Sequence, residues 1–368
     1  MKIGIYSDVH ISRTSSIMPL YLNENSKYTL RLQNCINSMN EMYQTFENKN
    51  VDLIINCGDT FNSHTISADE ISSYLDINHK SFCKELVIVG NHDKYNNVFN
   101  SIELANMFDG VDVIDEYKVI RFKESNIDIY CMNYFDAKDF NIKLDEMLDK
   151  FPKVHKTSIL FMHGDINGSL LFGNLRVENQ ISKAKLIQNF DLVINGHIHC
   201  NEVIYDKDDK KIINIGSLTT HSFADSNKHI GKYYILDTND RSIESFEAKD
   251  QIIFRTYEIN GEDDIIKFKE QLSMSSFKKI VKIKCKYELK DTLEHICQND
   301  DYGIIKYKFI FIYDNNINES EDKINTKKVV IKDEDSIDDK FLNFIKNQES
   351  LKYPYDIYET IIKGDLIW

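Results

Sequence analysis

Five short apolar runs in this chain each end on a cluster of aspartate, asparagine or histidine, and that recurrence constrains the fold more than any other feature. Residues 3–6 lead into Ser-Asp-Val-His, with Asp8 and His10, and residues 53–56 into Cys-Gly-Asp-Thr-Phe, with Asp59. Residues 86–89 run into Gly-Asn-His-Asp, which holds Asn91, His92 and Asp93. Residues 158–162 stop at His163 of Met-His-Gly-Asp, and residues 192–195 at His197 and His199 of Gly-His-Ile-His. A short apolar run bounded by turn residues reads as a buried strand. In α/β sheets, ligands bind in the crevice beyond the carboxyl ends of the strands, which is where these polar residues fall. Glycines at 58, 90 and 196 directly precede them and let the chain turn off the strand close to a ligand.

Taken singly, each motif has a plain reading as a turn or a helix cap, and two histidines at i and i+2 serve equally well as core residues. Repeated at five strand ends, with nitrogen and oxygen donors and no cysteine, the pattern points to metal. Asp8, His10, Asp59, Asn91, His163, His197 and His199 supply seven donors of mixed hardness, suited to Mn²⁺, Fe²⁺ or Zn²⁺ rather than Ca²⁺ or a structural zinc. Seven exceed what one ion needs, and Asp59 is suited to bridge a pair. Two cations about 3.5–4 Å apart clamp the attacking and leaving oxygens of a phosphoryl displacement and make hydroxide available at neutral pH.

Further strands are expected at 127–132, 211–215 and 232–236, and a helix at 28–46, where Leu32, Ile36, Met39, Tyr43 and Phe46 share one face. Strands alternating with amphipathic helices describe a layered α/β domain. After residue 245 glycine becomes scarce and the order reads strand 279–287, helix 289–298, strand 304–313. An acidic, Asn-rich connector follows, then a strand at 328–332, a helix at 335–346 and an aromatic tail ending in Trp368. The expected organisation is a first domain over 1–245, a small α+β domain over 250–332 and a C-terminal segment over 333–368. A chain of 368 residues has room for this, since single cores seldom grow beyond roughly 250–300 residues.

The net charge of −14 excludes a passive, sequence-blind DNA coat, which would be basic. It leaves room for an enzyme acting on phosphates, because bound metal inverts the sign of a carboxylate-lined site. No apolar run approaches the roughly 18 residues of a membrane span. The start, Met-Lys-Ile-Gly-Ile-Tyr-Ser-Asp-Val-His, has no signal-peptide pattern, and seven scattered cysteines suggest reduced thiols in a cytoplasm. Cys57, Cys131 and Cys200 read as core residues.

D-x-H, G-D, G-N-H-D, H and G-H-x-H, in that order, resemble the calcineurin-like metallophosphoesterase superfamily over about residues 1–240. The helix after a long first loop, Asn-Ile-Gly-Ser-Leu-Thr-Thr-His-Ser-Phe after the last histidines, and Phe-Arg-Thr-Tyr-Glu-Ile before the second domain look like SbcD-type nuclease subunits of double-strand-break repair, phage versions included. The resemblance implies an α/β/β/α sandwich with a smaller α+β cap. It places one metal on Asp8, His10, Asp59 and His199 and the other on Asp59, Asn91, His163 and His197, with Mn²⁺ as the expected ion. His92 would contact the scissile phosphate or protonate the leaving oxygen, and Asp93 would orient His92. The implied activity is exonuclease and endonuclease cleavage of DNA. The implied partners are DNA, an SbcC-type coiled-coil ATPase and a second copy of the chain, with residues 97–108 among the dimer helices. In many such nucleases a histidine stands three residues after the G-D aspartate; here that position is Asn62, and His64 is the nearest histidine. The rival readings are a metallophosphoesterase for nucleotides, cyclic nucleotides or phosphoproteins, and a scaffold subunit without activity.

Lys282, Lys284 and Lys286 alternate with Val281, Ile283, Cys285 and Tyr287, and Lys306 and Lys308 lie opposite Ile305, Tyr307 and Phe309. If these strands pair, the lysines form one basic patch able to meet DNA phosphates, or else an ordinary solvated sheet face. Ile337, Phe341, Phe344 and Ile345 form a C-terminal stripe that either packs on its own core or, by the resemblance, docks on the ATPase.

Overall fold

The computed structural model describes residues 1–13, 26–77, 82–96, 99–170, 175–220, 222–223, 230–274 and 276–311. The chain forms two compact units, Met1–Thr256 with Ser275–Ile280, and Tyr257–Met274 with Val281–Trp368. In order, the elements are β1 (Lys2–Tyr6), α1 (Leu30–Asn48), β2 (Leu53–Asn56), α2 (Ala68–Leu75), β3 (Lys84–Ile88), β4 (Val111–Ile114), β5 (Tyr117–Phe122) and β6 (Ile127–Met132). Then come α3 (Ala137–Lys150), β7 (Thr157–Met162), α4 (Lys183–Asn189), β8 (Leu192–Asn195), β9 (Glu202–Lys207), β10 (Lys210–Asn214), β11 (Lys232–Asp237) and β12 (Ser242–Glu247). The last are β13 (Ile252–Ile259), α5 (Glu262–Ser273), β14 (Lys278–Cys285), α6 (Lys290–Cys297) and β15 (Ile304–Phe311).

One six-stranded sheet runs β12-β11-β1-β2-β3-β4 and the other β5-β6-β7-β8-β10-β9. β1 to β4 are mutually parallel, as are β6, β7, β8 and β10. Alternation along each strand sorts its side chains to two faces. Ile3, Ile5, Leu53, Ile55, Leu86 and Ile88 of the first sheet share a core with Ile129, Ile159, Phe161 and Ile194 of the second. On the outer faces, Ile54 and Val87 meet Leu32, Ile36, Met39 and Phe46 of α1, while Tyr130, Leu160 and Val193 meet Phe140, Leu144 and Met147 of α3. The result is the α/β/β/α layering that the resemblance implies. Strands buried on both faces read as continuous apolar runs, which is why the central ones were legible.

The five strands absent from the sequence expectation, β4, β5, β9, β12 and β13, all stand at sheet edges. β9 and β12 have mostly half-buried or exposed residues, so their composition is diluted with charge. The helix expected at 28–46 begins instead at Leu30, because the Thr29 hydroxyl caps it by accepting from Leu32 N at 3.3 Å.

In the second unit, Val281, Ile283 and Cys285 of β14 pack with Phe268 and Leu272 of α5 and with Leu293, Ile296 and Cys297 of α6. Tyr287 does not extend the strand face; it opens a 3-10 turn, Tyr287–Leu289, and is 61% exposed. Within the segment expected as a dimer helix, Ser101–Met107 is a 3-10 helix that turns Ile102 and Ala105 into the chain's own core, with Phe108 packed against the same core. Ile102 and Ala105 are therefore taken up by the chain's own core. The expected strand 328–332, helix 335–346 and aromatic tail lie outside the described residues. Among the described residues, no helix is long and apolar enough to cross a membrane.

Candidate metal centre

The carboxyl ends of the parallel strands bring all five motifs to one edge of the first unit. Beyond β1 and β2 the chain continues in register: Asp8 N donates to Gly58 O at 2.9 Å, His10 N to Asp59 O at 3.1 Å and Ile11 N to Thr60 O at 2.8 Å. Asp8, His10, Asp59 and His197 all take positive φ, between 49° and 70°. A non-glycine residue there costs roughly 1–2 kcal/mol and persists only where its surroundings hold it. Two of the holding bonds come from the cluster: His197 N donates to Asp8 Oδ2 at 3.0 Å, and His92 N to Asp59 Oδ1 at 2.9 Å. Gly58 and Gly90 are required by close approach, since a Cβ at Gly90 would fall onto Asp59 Oδ1 and one at Gly58 onto His163 Nδ1.

Seven donor atoms converge. His10 Nε2 lies 3.1 Å from His199 Nε2 and 3.7 Å from both Asp8 Oδ1 and Asp59 Oδ2. His163 Nε2 lies 3.3 Å from Asp59 Oδ2, 3.0 Å from Asn91 Oδ1 and 3.2 Å from His197 Nδ1. Asp59 thus stands between two groups, Asp8–His10–His199 and Asn91–His163–His197. Metal bonds of about 2.1 Å set ligand atoms roughly 3.0–3.4 Å apart in octahedral or tetrahedral geometry, close to the spacings found. Among the described residues, Asp8 Oδ1 is buried without a hydrogen-bond donor, and it lies 3.7 Å from the Nε2 of His10 and of His199. A buried carboxylate oxygen in that position is costly unless a cation takes it. The residues fit a metal pair.

The electrostatics agree. Burial works to raise the carboxyls of Asp8 and Asp59, yet the imidazoles around them outweigh it and hold both below the usual carboxylate range. Burial would lower His163, but Asp59, Asp8 and the Cys57 carbonyl bring it to about 9. This is a pocket of negative charge collecting protons where a cation would compete for the same donors. His163 Nδ1 faces the Cys57 carbonyl at 2.7 Å, so one proton sits there, and Nε2 faces the cluster, where a bound cation would displace the other.

His92 is exposed at the rim, its ring 4.8 Å from that of His10. Asp93 does not orient it. The Asp93 carboxylate, fully buried, accepts from Thr60 N at 3.3 Å, Phe61 N at 3.0 Å and Gly90 N at 3.0 Å, tying the loop after β2 to the loop after β3. The His92 ring is held by the Asn62 carbonyl, 2.8 Å from Nδ1. A backbone oxygen does this whatever side chain occupies position 62. His64 is exposed and packs on the Tyr95 ring at 5.0 Å, outside the donor cluster.

Three neighbours were not anticipated. Tyr134 sets its ring 5.6 Å from His197 and 6.1 Å from His163. Asp165 Oδ1 lies 3.2 Å from His197 Nε2. Arg31, fully buried in α1, donates to Val9 O, His10 O, Thr219 Oγ1 and Thr220 O at 2.9–3.2 Å. Asp165 had a signal, its place two residues after His163; Arg31 and Tyr134 had none. In the second unit β14 neighbours β15, as the lysine reading required. Lys282, Lys284, Lys286, Lys306 and Lys308 are half-buried. Partial burial lowers the Lys282 ammonium, and the nearby charges of Lys308 and Lys284 lower it further.

Among solved structures, a dimetal phosphatase from Danio rerio aligns with 67% of this chain and 99% of its own, at 9% identity and a TM-score of 0.41. Vps29 complexed with Zn²⁺ from Entamoeba histolytica aligns over 67% and 97%, at 13% identity and 0.31. A hypothetical protein from Thermus thermophilus aligns over 67% and 100%, at 10% identity and 0.39. No curated protein matches the chain. The calcineurin-like phosphoesterase family model matches residues 1–201, which span every donor from Asp8 to His199, and by that match the chain belongs to the calcineurin-like phosphoesterases.

Proposed function

We propose that this phosphoesterase is a two-metal DNA nuclease, the nuclease subunit of an SbcC/SbcD-like repair and recombination complex. The observation that supports it best is the seven-donor cluster centred on Asp59 with the imidazole of His92 exposed at its edge. Asp8, His10, Asp59 and His199 would hold one cation and Asp59, Asn91, His163 and His197 the other, with Mn²⁺ the expected metal. Divalent cations bound there supply Lewis acidity to a phosphoryl oxygen and lower the pKa of water. The chain's own residues do the rest. With Nδ1–H donated to the Asn62 carbonyl, His92 leaves Nε2 to pass a proton to a leaving oxygen beside His10 and Asp59. The strained loops hold the donors in place without a substrate, so little ordering remains to be done on binding. Lysines on the neighbouring strands β14 and β15 of the second unit would suit the successive phosphates of DNA. A C-terminal segment, 333–368, would dock on a coiled-coil ATPase, and the assembly would be a dimer of this chain.

The test is Mn²⁺-dependent digestion of an end-labelled linear duplex by wild type, His92→Ala and His197→Ala. Wild type alone should consume the duplex, with each variant at least about 100-fold slower. If bis-p-nitrophenyl phosphate is hydrolysed while the duplex stays intact, with or without an ATPase partner, the substrate is a nucleotide, cyclic nucleotide or phosphoprotein instead.

A further inference from the structure

We propose that Asp165 is a positioning residue that fixes His197 with its Nδ1 lone pair turned into the metal centre. The inference rests on the metal-centre reading above and adds a residue to it. His197 Nδ1 lies 2.8 Å from Asn91 Oδ1 and 3.2 Å from His163 Nε2, inside the donor cluster. Its other nitrogen, Nε2, points away and meets Asp165 Oδ1 at 3.2 Å. An ionised carboxylate only accepts hydrogen bonds, so Nε2 carries the proton and Nδ1 presents its lone pair. His163, in the same half of the cluster, uses the opposite nitrogen: its Nδ1 meets the Cys57 carbonyl and its Nε2 faces inward. The two rings therefore need opposite tautomers, and a separate acceptor sets each one.

Asp165 is placed firmly enough for this role. Its carbonyl accepts from Ile181 N at 3.0 Å, and Ile166 bridges to Ile181. Farther along the same loop, Val177 packs on Ile198 and Cys200, which flank His199. The loop carrying Asp165 is thus anchored to the loop carrying both histidines. Asp165 belongs to none of the clusters whose donor atoms converge, so it acts through His197 and is not itself a metal ligand.

The experiment is Mn²⁺ titration by calorimetry of the metal-stripped full chain as wild type, Asp165→Asn and Asp165→Ala, with the thermal midpoint of each stripped protein as the control for folding. Wild type should take up two ions. Asp165→Ala should bind one as wild type does and the other about 10- to 100-fold more weakly. Asp165→Asn, whose amide oxygen still accepts from Nε2–H, should recover most of that loss. Unchanged affinity of both ions in Asp165→Ala would overturn the proposal and leave the metal centre standing. So would equal weakening of both ions together with a lowered midpoint, which is the signature of a structural role. A wild-type chain that binds no Mn²⁺ would remove the metal centre, and Asp165's role with it.

Discussion

Glu85 offers a test of how the first unit is held together. It sits on β3, only 5% exposed, and its carboxylate accepts from Tyr6 Oη at 2.7 Å and from Tyr43 Oη at 3.0 Å to each oxygen. Among the described residues no cation pairs with it. Burial raises the carboxyl from an ordinary 4.5 to about 7, and the two hydroxyls offset only part of that. A carboxyl whose folded pKa exceeds its unfolded one holds its proton more tightly in the fold. Its contribution to stability is therefore complete below about pH 4.5 and is lost as pH rises through 7. At about 1.4 kcal/mol per tenfold in proton affinity, the loss is on the order of 3 kcal/mol. Glu85→Gln keeps the shape and mimics the protonated acid. It should match wild type within about 1 kcal/mol near pH 5 and exceed it by about 3 kcal/mol near pH 8.5. For a unit of this size that is roughly 6–12 °C in the thermal midpoint. The assay is calorimetric unfolding of both proteins with chelator at several pH values, so that every other titrating group cancels in the difference. Parallel curves, with the same gap at acid and alkaline pH, would refute the reasoning.

Gly90→Ala places a methyl against the carboxylate shared by both halves of the cluster. It should lose about 1–3 kcal/mol and retain fewer than two metals after dialysis, as read by elemental analysis. Arg31→Met removes four donated bonds, but Val9 O keeps the Thr219 hydroxyl at 2.8 Å and His10 O keeps the Ser12 hydroxyl at 3.2 Å. Only the Thr220 carbonyl is stranded among the described residues, so denaturant unfolding should show a loss of about 2–4 kcal/mol, not the sum of four bonds.

The donors at the centre were legible because each stands directly after an apolar strand, and the geometry of parallel sheets sends every strand's carboxyl end to the same crevice. Local pattern was enough to name Asp8, Asp59 and His199 and to mark the central strands. Local pattern also found α1, since its apolar face repeats within a few residues. The edge strands β9 and β12 escaped because half or more of their side chains face solvent and read as loop.

The roles of Asp93, Asn62 and Arg31 were beyond any local pattern, and Asp165 had only its place two residues after His163 as a signal. Asp93 was expected to steer His92, its neighbour in sequence, but its carboxylate turns inward to amides of a loop 32 and 33 residues away. Arg31 reads as a surface residue until the fold lays the Thr220 carbonyl, 189 residues distant, against its guanidinium. The sequence by itself therefore determined which groups could bind metal and on which strand ends they stand. Only the tertiary structure decided which nitrogen each imidazole turns inward, and what holds it there. Hydrogen bonds are satisfied by whatever lies within about 3 Å in space, and the chain order of those partners carries no trace of that distance.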